Sequence, residues 1–451
     1  MSLNTASEAL DSAKEITERG LDFLRSHSNP EEQQVFLYDL SHASSAIAIA
    51  ESFLSFAEKG EEEKGIVELF CADTLRAVAA MCFGREDIWR LESSTLGVLN
   101  QYVAEHGTPQ KYSIASLSSQ KSHLSDELEL VAKTFRRFGK DHIEHLAEEV
   151  HRKDLDVPEE IIAGLAQMGC FGLSIPEEYG GSASGSIKDM YGMVIATEEL
   201  SRASLSIGGS LITRPEILAR AIENGGTDEQ KRTLLPKIAS GDLMSAVAVT
   251  EPDHGSDVAS IAMSARPEPS GGWKLNGVKT WCTFAGRADL LMVLARTNPD
   301  TSQGHRGLSV FVVEKERADG HSFNFQQESG GRMQGKAIPT LGYRGMHSFE
   351  IAFQDWVVPE DSLIGGIEGE GQGFYLQMAG FENGRLQTAA RAVGVMQRAY
   401  EEAVTYSQER NVFNNSLSSY ELTQVKIGRM AAVIQACRQY TYDVAEKMSM
   451  G

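Results

Sequence analysis

From the start of the chain to about His123, apolar residues return every three or four positions, as expected of helices that bury one face. Leu37, Leu40, Ala43, Ile47, Ala50 and Leu54 form one such stripe, and Ile66, Leu69, Phe70, Asp73, Ala77 and Met81 nearly repeat it on the next helix. Asn29-Pro30, Gly60, Gly84 and Gly107-Thr108-Pro109 interrupt the pattern and predict the breaks between helices. A Ser- and Lys-rich stretch, 113–125, reads as a linker. Helical spacing resumes over 124–241, where Thr227 followed by Asp228 and Glu229 predicts an N-cap and a helix reaching Ile238. Between 245 and 359 the period changes to two: 290–294 and 308–313 read as strands, and Asn276-Gly277 as the turn of a hairpin. Helical spacing returns near Gly371, with long helices over 386–408 and 419–448. The order helical, β, helical predicts an α+β multidomain chain divided into residues 1–123, 124–241, 242–365 and 366–451.

Composition narrows the function classes. A hydrophobic fraction of 41% and a charged fraction of 23% are those of a folded globular protein. The net charge of -21, from 63 acidic and 42 basic residues, repels nucleic-acid phosphates, so no nucleic-acid partner is expected. No apolar run approaches the roughly 18 residues of a membrane span. The first helix carries Glu8, Asp11, Glu15 and Glu18, unlike a signal or transit peptide, and a cytoplasmic location is the default expectation. Cys71, Cys82, Cys170, Cys282 and Cys437 are scattered and lack metal-ligand spacing, which predicts reduced thiols and no metal site.

Candidate chemistry lies in two segments. Val247-Ala248-Val249-Thr250-Glu251-Pro252-Asp253-His254-Gly255-Ser256-Asp257 joins a short apolar strand to a Pro- and Gly-containing turn. Its backbone N–H groups and hydroxyl suit a flavin pyrimidine edge or a phosphate; a plain strand-turn capped by Ser256 and Asp257 is the alternative on physical grounds alone. In Leu275-Asn276-Gly277-Val278-Lys279-Thr280-Trp281-Cys282-Thr283, Trp281 and Thr283 are two residues apart and share a strand face, setting an aromatic wall beside a hydroxyl.

Together the two segments resemble the acyl-CoA dehydrogenase family, in which Val-Thr-Glu-Pro-x-x-Gly-Ser-Asp and Leu-Asn-Gly-x-Lys-x-Trp-x-Thr recur in this order. The likeness runs over about 124–451, through Pro176-Glu177-Glu178-Tyr179-Gly180-Gly181, Glu198-Glu199-Leu200-Ser201-Arg202 and Phe353-Gln354-Asp355-Trp356-Val357-Val358-Pro359. It implies an acyl-CoA dehydrogenase-like fold: a helical domain, a central β-domain (barrel or sandwich) and a carboxy-terminal helical bundle, preceded here by a helical extension. It also implies FAD as cofactor, an acyl-CoA substrate, an electron-transfer flavoprotein as electron acceptor, and a homodimer or homotetramer. Under this likeness Val247, Val249 and Thr250 meet the flavin, Trp281 lies beside its ring, and the Thr283 hydroxyl approaches its reducible nitrogen. Ser256 contacts FAD or the CoA arm, and Glu382, Asn383, Gly384 and Arg385 lie where the family meets CoA. Arg410 and Phe413 match a pair that reaches the FAD of a neighbouring subunit; a helix-terminal cation and a core aromatic are the alternative.

Oxidation between the α and β carbons of a thioester needs a carboxylate for the α proton, an acceptor for the β hydride and polarisation of the thioester oxygen. In one branch of the family that Glu lies where this chain has Gly384. In the other it lies in a loop beyond the second half of the bundle, so the base is expected past Gly451, in a longer form of the protein, with Glu382 as a fallback. Tyr420-Glu421 stands where the family usually has a Gln that helps hold FAD. A helical extension of this kind marks the branch acting on methylsuccinyl-CoA, implying oxidation of (2S)-methylsuccinyl-CoA to mesaconyl-CoA. Such a substrate carries a free carboxylate, and Arg214 is the candidate cation for it, or else a solvated residue before a helix starting at Pro215. A short- or branched-chain dehydrogenase, an acyl-CoA oxidase and a non-catalytic FAD or acyl-CoA binder remain as alternatives.

Overall fold

The computed structural model describes residues 2–91 and 95–450. Their contacts gather into two units, one of Met1–Ser125 with Met396–Val444 and one of Asp126–Val395 with Ala445–Gly451, the first and last residues of the chain lying outside the described set.

The first unit is helical, with helices Ser2–Arg25, Gln34–Phe53, Glu61–Cys82, Thr95–His106 and Pro109–Ala115, so every expected break is present. The apolar stripe of the second helix keeps its predicted register at Leu40, Ala43, Ile47 and Ala50 and shifts by one residue only at its two ends. Phe36, Leu40, Ala43, Ile47, Ala50 and Phe53 are buried, while Leu37 is exposed. Two phenylalanines bury more apolar area than the leucines beside them, and Phe36 meets the fully buried Trp89 edge-on at 4.8 Å. Gly20 permits this packing: a Cβ there would lie 3.0 Å from Leu40 and 3.3 Å from Trp89. Ala432 and Ala436, from the helix Glu421–Met450, complete the same core. Asp73 leaves its expected apolar stripe to pair with Arg429 at 3.0 Å.

The second unit carries the mixed architecture. Thr227 caps the helix Asp228–Ala239, its hydroxyl accepting from the Gln230 amide at 3.2 Å while the Gln230 side chain accepts from the Thr227 N–H at 2.9 Å. A curled sheet follows, built from β1 (Ser245–Ala248), β2 (Ser264–Pro267), β3 (Trp273–Thr283), β4 (Leu290–Arg296), β5 (Leu308–Glu314), β6 (Ser322–Gln326), β7 (Arg332–Ala337) and β8 (Ser348–Val358). Its order is β1-β4-β2-β3-β8-β7-β6, with β5 also paired to β4; β1 runs parallel to β4, and the long β3–β8 ladder is antiparallel.

Asn276-Gly277 is not the hairpin turn its sequence predicts. It lies inside β3 at a register shift, with the Asn276 side chain accepting from the Asp355 N–H at 2.8 Å. The turn that folds β2 onto β3 spans 268–272, where Gly271 and Gly272 have φ of +99° and +86°. One long helix, Gly373–Glu409, begins two residues after the predicted return of helical period. All five cysteines are free; burial pushes the thiols of Cys71, Cys82, Cys170 and Cys282 up to about 12. No described helix is long and apolar enough to cross a membrane.

Candidate active site

The two motif segments are tied together by a buried ion pair. Lys279 is fully buried, and its Nζ donates to the Val249 carbonyl at 2.8 Å and to Glu251 Oε1 at 2.9 Å. Glu251 also accepts from the Ala262 and Met263 amides at 2.7 and 2.9 Å. The Thr280 N–H donates to the Thr250 carbonyl at 2.8 Å, completing the junction. Desolvation pulls the Lys279 ammonium below its ordinary range, opposed by Glu251. Desolvation would raise the Glu251 carboxyl, but Lys279 and the two amides outweigh it and hold the group below its usual value. The Glu and Lys of the motifs therefore position the backbone of Val249 and Thr250 against the strand that carries Trp281 and Thr283.

Trp281 is turned out of the ladder. Between Lys279, opposite Ile351, and Cys282, opposite Phe349, β3 holds one residue more than β8, and Trp281 adopts φ +59° within this bulge. Its indole is 56% exposed at a cavity of about 290 Å3. Val247, Val249, Thr250, Thr280 and Thr283 form the sheet side of that cavity. The Thr283 hydroxyl lies 2.9 Å from that of Ser348.

Two helices supply the other walls. Thr213, Arg214 and Ile217 come from Thr213–Gly225, so Arg214 lies in the first turn of a helix rather than in a loop before one. Phe381, Gly384, Arg385, Thr388 and Arg391 come from one face of Gly373–Glu409, at steps of three and four residues. The Arg214 guanidinium lies 5.9 Å from the Tyr343 ring centroid, and its Nη1 is buried without a hydrogen-bond partner. Arg391 donates to Ser210 Oγ at 3.3 Å, Tyr343 Oη at 3.2 Å and Thr388 Oγ1 at 2.7 Å, and its Nε is likewise buried and unpartnered. Burial lowers the proton affinity of Arg391, with Tyr343 opposing and Arg214 adding to the effect. Neither arginine has a carboxylate partner among the described residues.

The structure thus brings Val247, Val249, Thr250, Trp281, Thr283, Arg214, Gly384 and Arg385 to one cavity. Glu382 is not among them. Two residues from Gly384 on a helix is about 200° of rotation, and Glu382 lines a separate cavity of about 510 Å3 with Asn383. Glu382 thus lines a different cavity from Trp281. Asn383 is buried and donates to Glu216 Oε1 at 2.7 Å. Ser256 is exposed on the loop after the Glu251 turn. Arg410 and Phe413 belong to the first unit, at a two-stranded hairpin (Asn411–Val412 with Asn415–Ser416). Phe413 is no core aromatic: it is 86% exposed at the tip, where it and Asn414 have φ of +50° and +66°. Sequence reading missed Arg391 and Tyr343. Arg391 could have been found from its seven-residue spacing to Gly384, whereas Tyr343 reaches the site only through tertiary folding.

Three family descriptions match consecutive parts of the chain: "Acyl-CoA dehydrogenase, N-terminal domain" at residues 125–242, "middle domain" at 246–356 and "C-terminal domain" at 371–451. The chain belongs to the acyl-CoA dehydrogenase family. It is 41% identical over 331 residues to (2S)-methylsuccinyl-CoA dehydrogenase of Cereibacter sphaeroides, a match covering 73% of this chain and 58% of that protein. Among solved structures it is similar to the glutaryl-coenzyme A dehydrogenase glutaryl-CoA complex (TM-score 0.66, 28% identity, 73% of this chain and 79% of that one). It is also similar to a chain in the solved structure of the electron transferring flavoprotein of Acidaminococcus fermentans (TM-score 0.65, 29% identity, 73% and 81%).

The family's cofactor is FAD. The residues present fit it, with a half-exposed indole beside the threonine-rich wall of the cavity and backbone held rigid by the Lys279–Glu251 pair.

Proposed function

We propose that the protein oxidises (2S)-methylsuccinyl-CoA to mesaconyl-CoA. The observation that carries this reading is the pair of arginines: Arg214 and Arg391 share one small cavity with Trp281 and Thr283, and each has a buried nitrogen without a partner. Two adjacent cations without an anion are costly in a half-buried site, and an acyl chain ending in a carboxylate removes that cost. The likeness to methylsuccinyl-CoA dehydrogenase supports the same substrate.

In this reading Arg214 and Arg391 hold the distal carboxylate and so fix which carbons lie beside Trp281. Val247, Val249, Ile217 and Phe381 exclude water from the reacting carbons, and Arg385 serves the CoA end. Ser256 offers its exposed hydroxyl to FAD or the CoA arm. Bound FAD supplies the acceptor for the β hydride. The α proton requires a carboxylate, and among the described residues none lines this cavity, so the base is assigned to none of them. Arg410 and the exposed Phe413 reach the FAD of a second copy, and an electron-transfer flavoprotein takes the electrons onward, as the second solved neighbour suggests.

Anaerobic mixing of the flavin-loaded protein with methylsuccinyl-CoA, butyryl-CoA and isovaleryl-CoA tests the reading. Bleaching of the flavin absorbance by methylsuccinyl-CoA is expected. Bleaching by the monocarboxylic thioesters alone would overturn the substrate assignment, and binding of all three without bleaching would identify a binder. Rapid return of the absorbance on admitting air would identify an oxidase.

A further inference from the structure

We propose that Asp154, His321 and His347 form a site for a divalent transition metal ion of the zinc type, apart from the flavin cavity. The Nε2 atoms of the two histidines face each other at 3.2 Å. Asp154 Oδ1 lies 3.3 Å from His347 Nε2, and Asp154 Oδ2 lies 3.7 Å from His321 Nε2. For ligand bonds of about 2.0–2.1 Å, tetrahedral coordination sets neighbouring ligand atoms about 3.3–3.4 Å apart. The two imidazole nitrogens already stand near that spacing, a different oxygen of Asp154 faces each, and one ligand atom from each residue lies within 4.8 Å of the others. No other group of three or more His, Cys, Asp and Glu residues with such convergence occurs among the described residues.

The surroundings are built in the same sense. His347 Nδ1 lies 3.1 Å from Asp156 Oδ1, and Asp156 Oδ2 accepts from the Gly320 N–H at 2.6 Å. A carboxylate on the far nitrogen fixes the tautomer that leaves the Nε2 lone pair directed at the shared centre, the usual outer partner of a metal-bound histidine. Arg344 Nε at 3.6 Å from Asp154 Oδ1, and the Asp154 carbonyl at 3.1 Å from His321 Nε2, are the groups an ion would displace. His347 is buried, whereas the side chains of Asp154 and His321 are 41% and 49% exposed, so an ion has a path in and a fourth position for water.

The ligands come from three places. Asp154 ends the helix Glu144–Lys153, His321 precedes β6 and His347 precedes β8. Sequence spacing did not disclose them, since Asp154 and His321 are 167 residues apart. The His347 carbonyl accepts from the Phe284 N–H at 2.8 Å, and the next residue, Ser348, meets Thr283 of the cavity wall. An ion here braces that wall against the helical layer without touching substrate.

Cobalt(II) titration of chelator-treated protein reads the site directly. One equivalent should bind with the visible absorption of a tetrahedral centre, be displaced by zinc(II), and be lost in the half-exposed variant His321→Ala. Asp156→Asn should keep the stoichiometry and weaken affinity by about 10–100-fold. Zinc(II) should raise the melting temperature of the native chain and leave that of His321→Ala unchanged. Absence of binding at micromolar cobalt(II), or binding and thermal shift equal in His321→Ala and the native chain, would overturn the proposal. Because neither readout uses turnover, the result is independent of the substrate assignment.

Discussion

Replacing Lys279 by Met isolates the contribution of the ion pair that joins the two motif segments. Lys279 has no exposed surface, and Glu251 is 6% exposed. Removing the ammonium leaves a buried carboxylate facing two amides, without its directly hydrogen-bonded counter-charge and with only the more distant Arg296 as a cation. Breaking a buried pair on one side costs about 3–5 kcal/mol, largely from the charge left behind. For a unit of this size, at roughly 2–4 °C per kcal/mol, melting should fall by about 10 °C. The Val249 carbonyl would also lose its anchor, so FAD retention through gel filtration should drop. The double variant Lys279→Met with Glu251→Gln removes the orphaned charge and should recover about 1–3 kcal/mol of the loss. Glu251 is held below its ordinary value of 4.5 in the fold, so its stabilisation is complete above that pH and disappears as the pH falls through the lower, folded value. Thermal or denaturant unfolding over an acid series follows both effects. If Lys279→Met melted within a degree of the native chain and kept its flavin, the pair would not hold the site together.

Glu216 behaves oppositely. Burial pushes its carboxyl from 4.5 up to about 7 against the opposing effects of Asn383 and Arg220, so the folded state is favoured most below 4.5 and loses stability as the pH rises to about 7. That displacement corresponds to roughly 3 kcal/mol; Glu216→Gln should remove the slope, and an unchanged pH–stability curve would refute it. Arg391→Leu and Arg214→Leu should each lower kcat/KM for methylsuccinyl-CoA by about 30-fold or more, at roughly 2 kcal/mol or above, with little change for butyryl-CoA; equal losses on both thioesters would count against a carboxylate role. Trp281→Ala should weaken FAD retention while leaving the Lys279–Glu251 junction, and hence the melting temperature of the apoprotein, within a few degrees.

Much of the architecture was legible because its causes are local. Gly and Pro breaks, the Thr227 cap with Gln230 at its third position and the apolar runs of β4 and β5 each depend on neighbours within a few residues. The residues of the sheet wall beside Trp281 were legible because the two motif segments are themselves short and contiguous. Failures arose where tertiary packing decided between near-equal local choices. Phe36 displaced Leu37 from the stripe because a neighbouring Trp89 needed an aromatic partner. Asn276-Gly277 carries a strong hairpin signal, yet β3 runs straight through it because β8 offers a long ladder on one side and the two glycines at 271–272 already make the turn. Helix rotation, which linear proximity to Gly384 does not express, puts Glu382 at a different cavity and brings Arg391, seven residues on, to the wall beside Trp281. The Asp154–His321–His347 cluster joins ligands from three elements, a proximity no linear spacing encodes.

The extra residue in β3 between Lys279 and Cys282 makes the spacing of the second motif a matter of counting. Deleting Thr280 would close the bulge, return the indole to strict alternation and swing it to the opposite face of the sheet. Inserting a residue would move Thr283 away from Ser348 by the same logic. Any working relative built on this ladder must therefore keep the interval from Lys to Trp to Thr unchanged in length, even where the residues between them are free to vary.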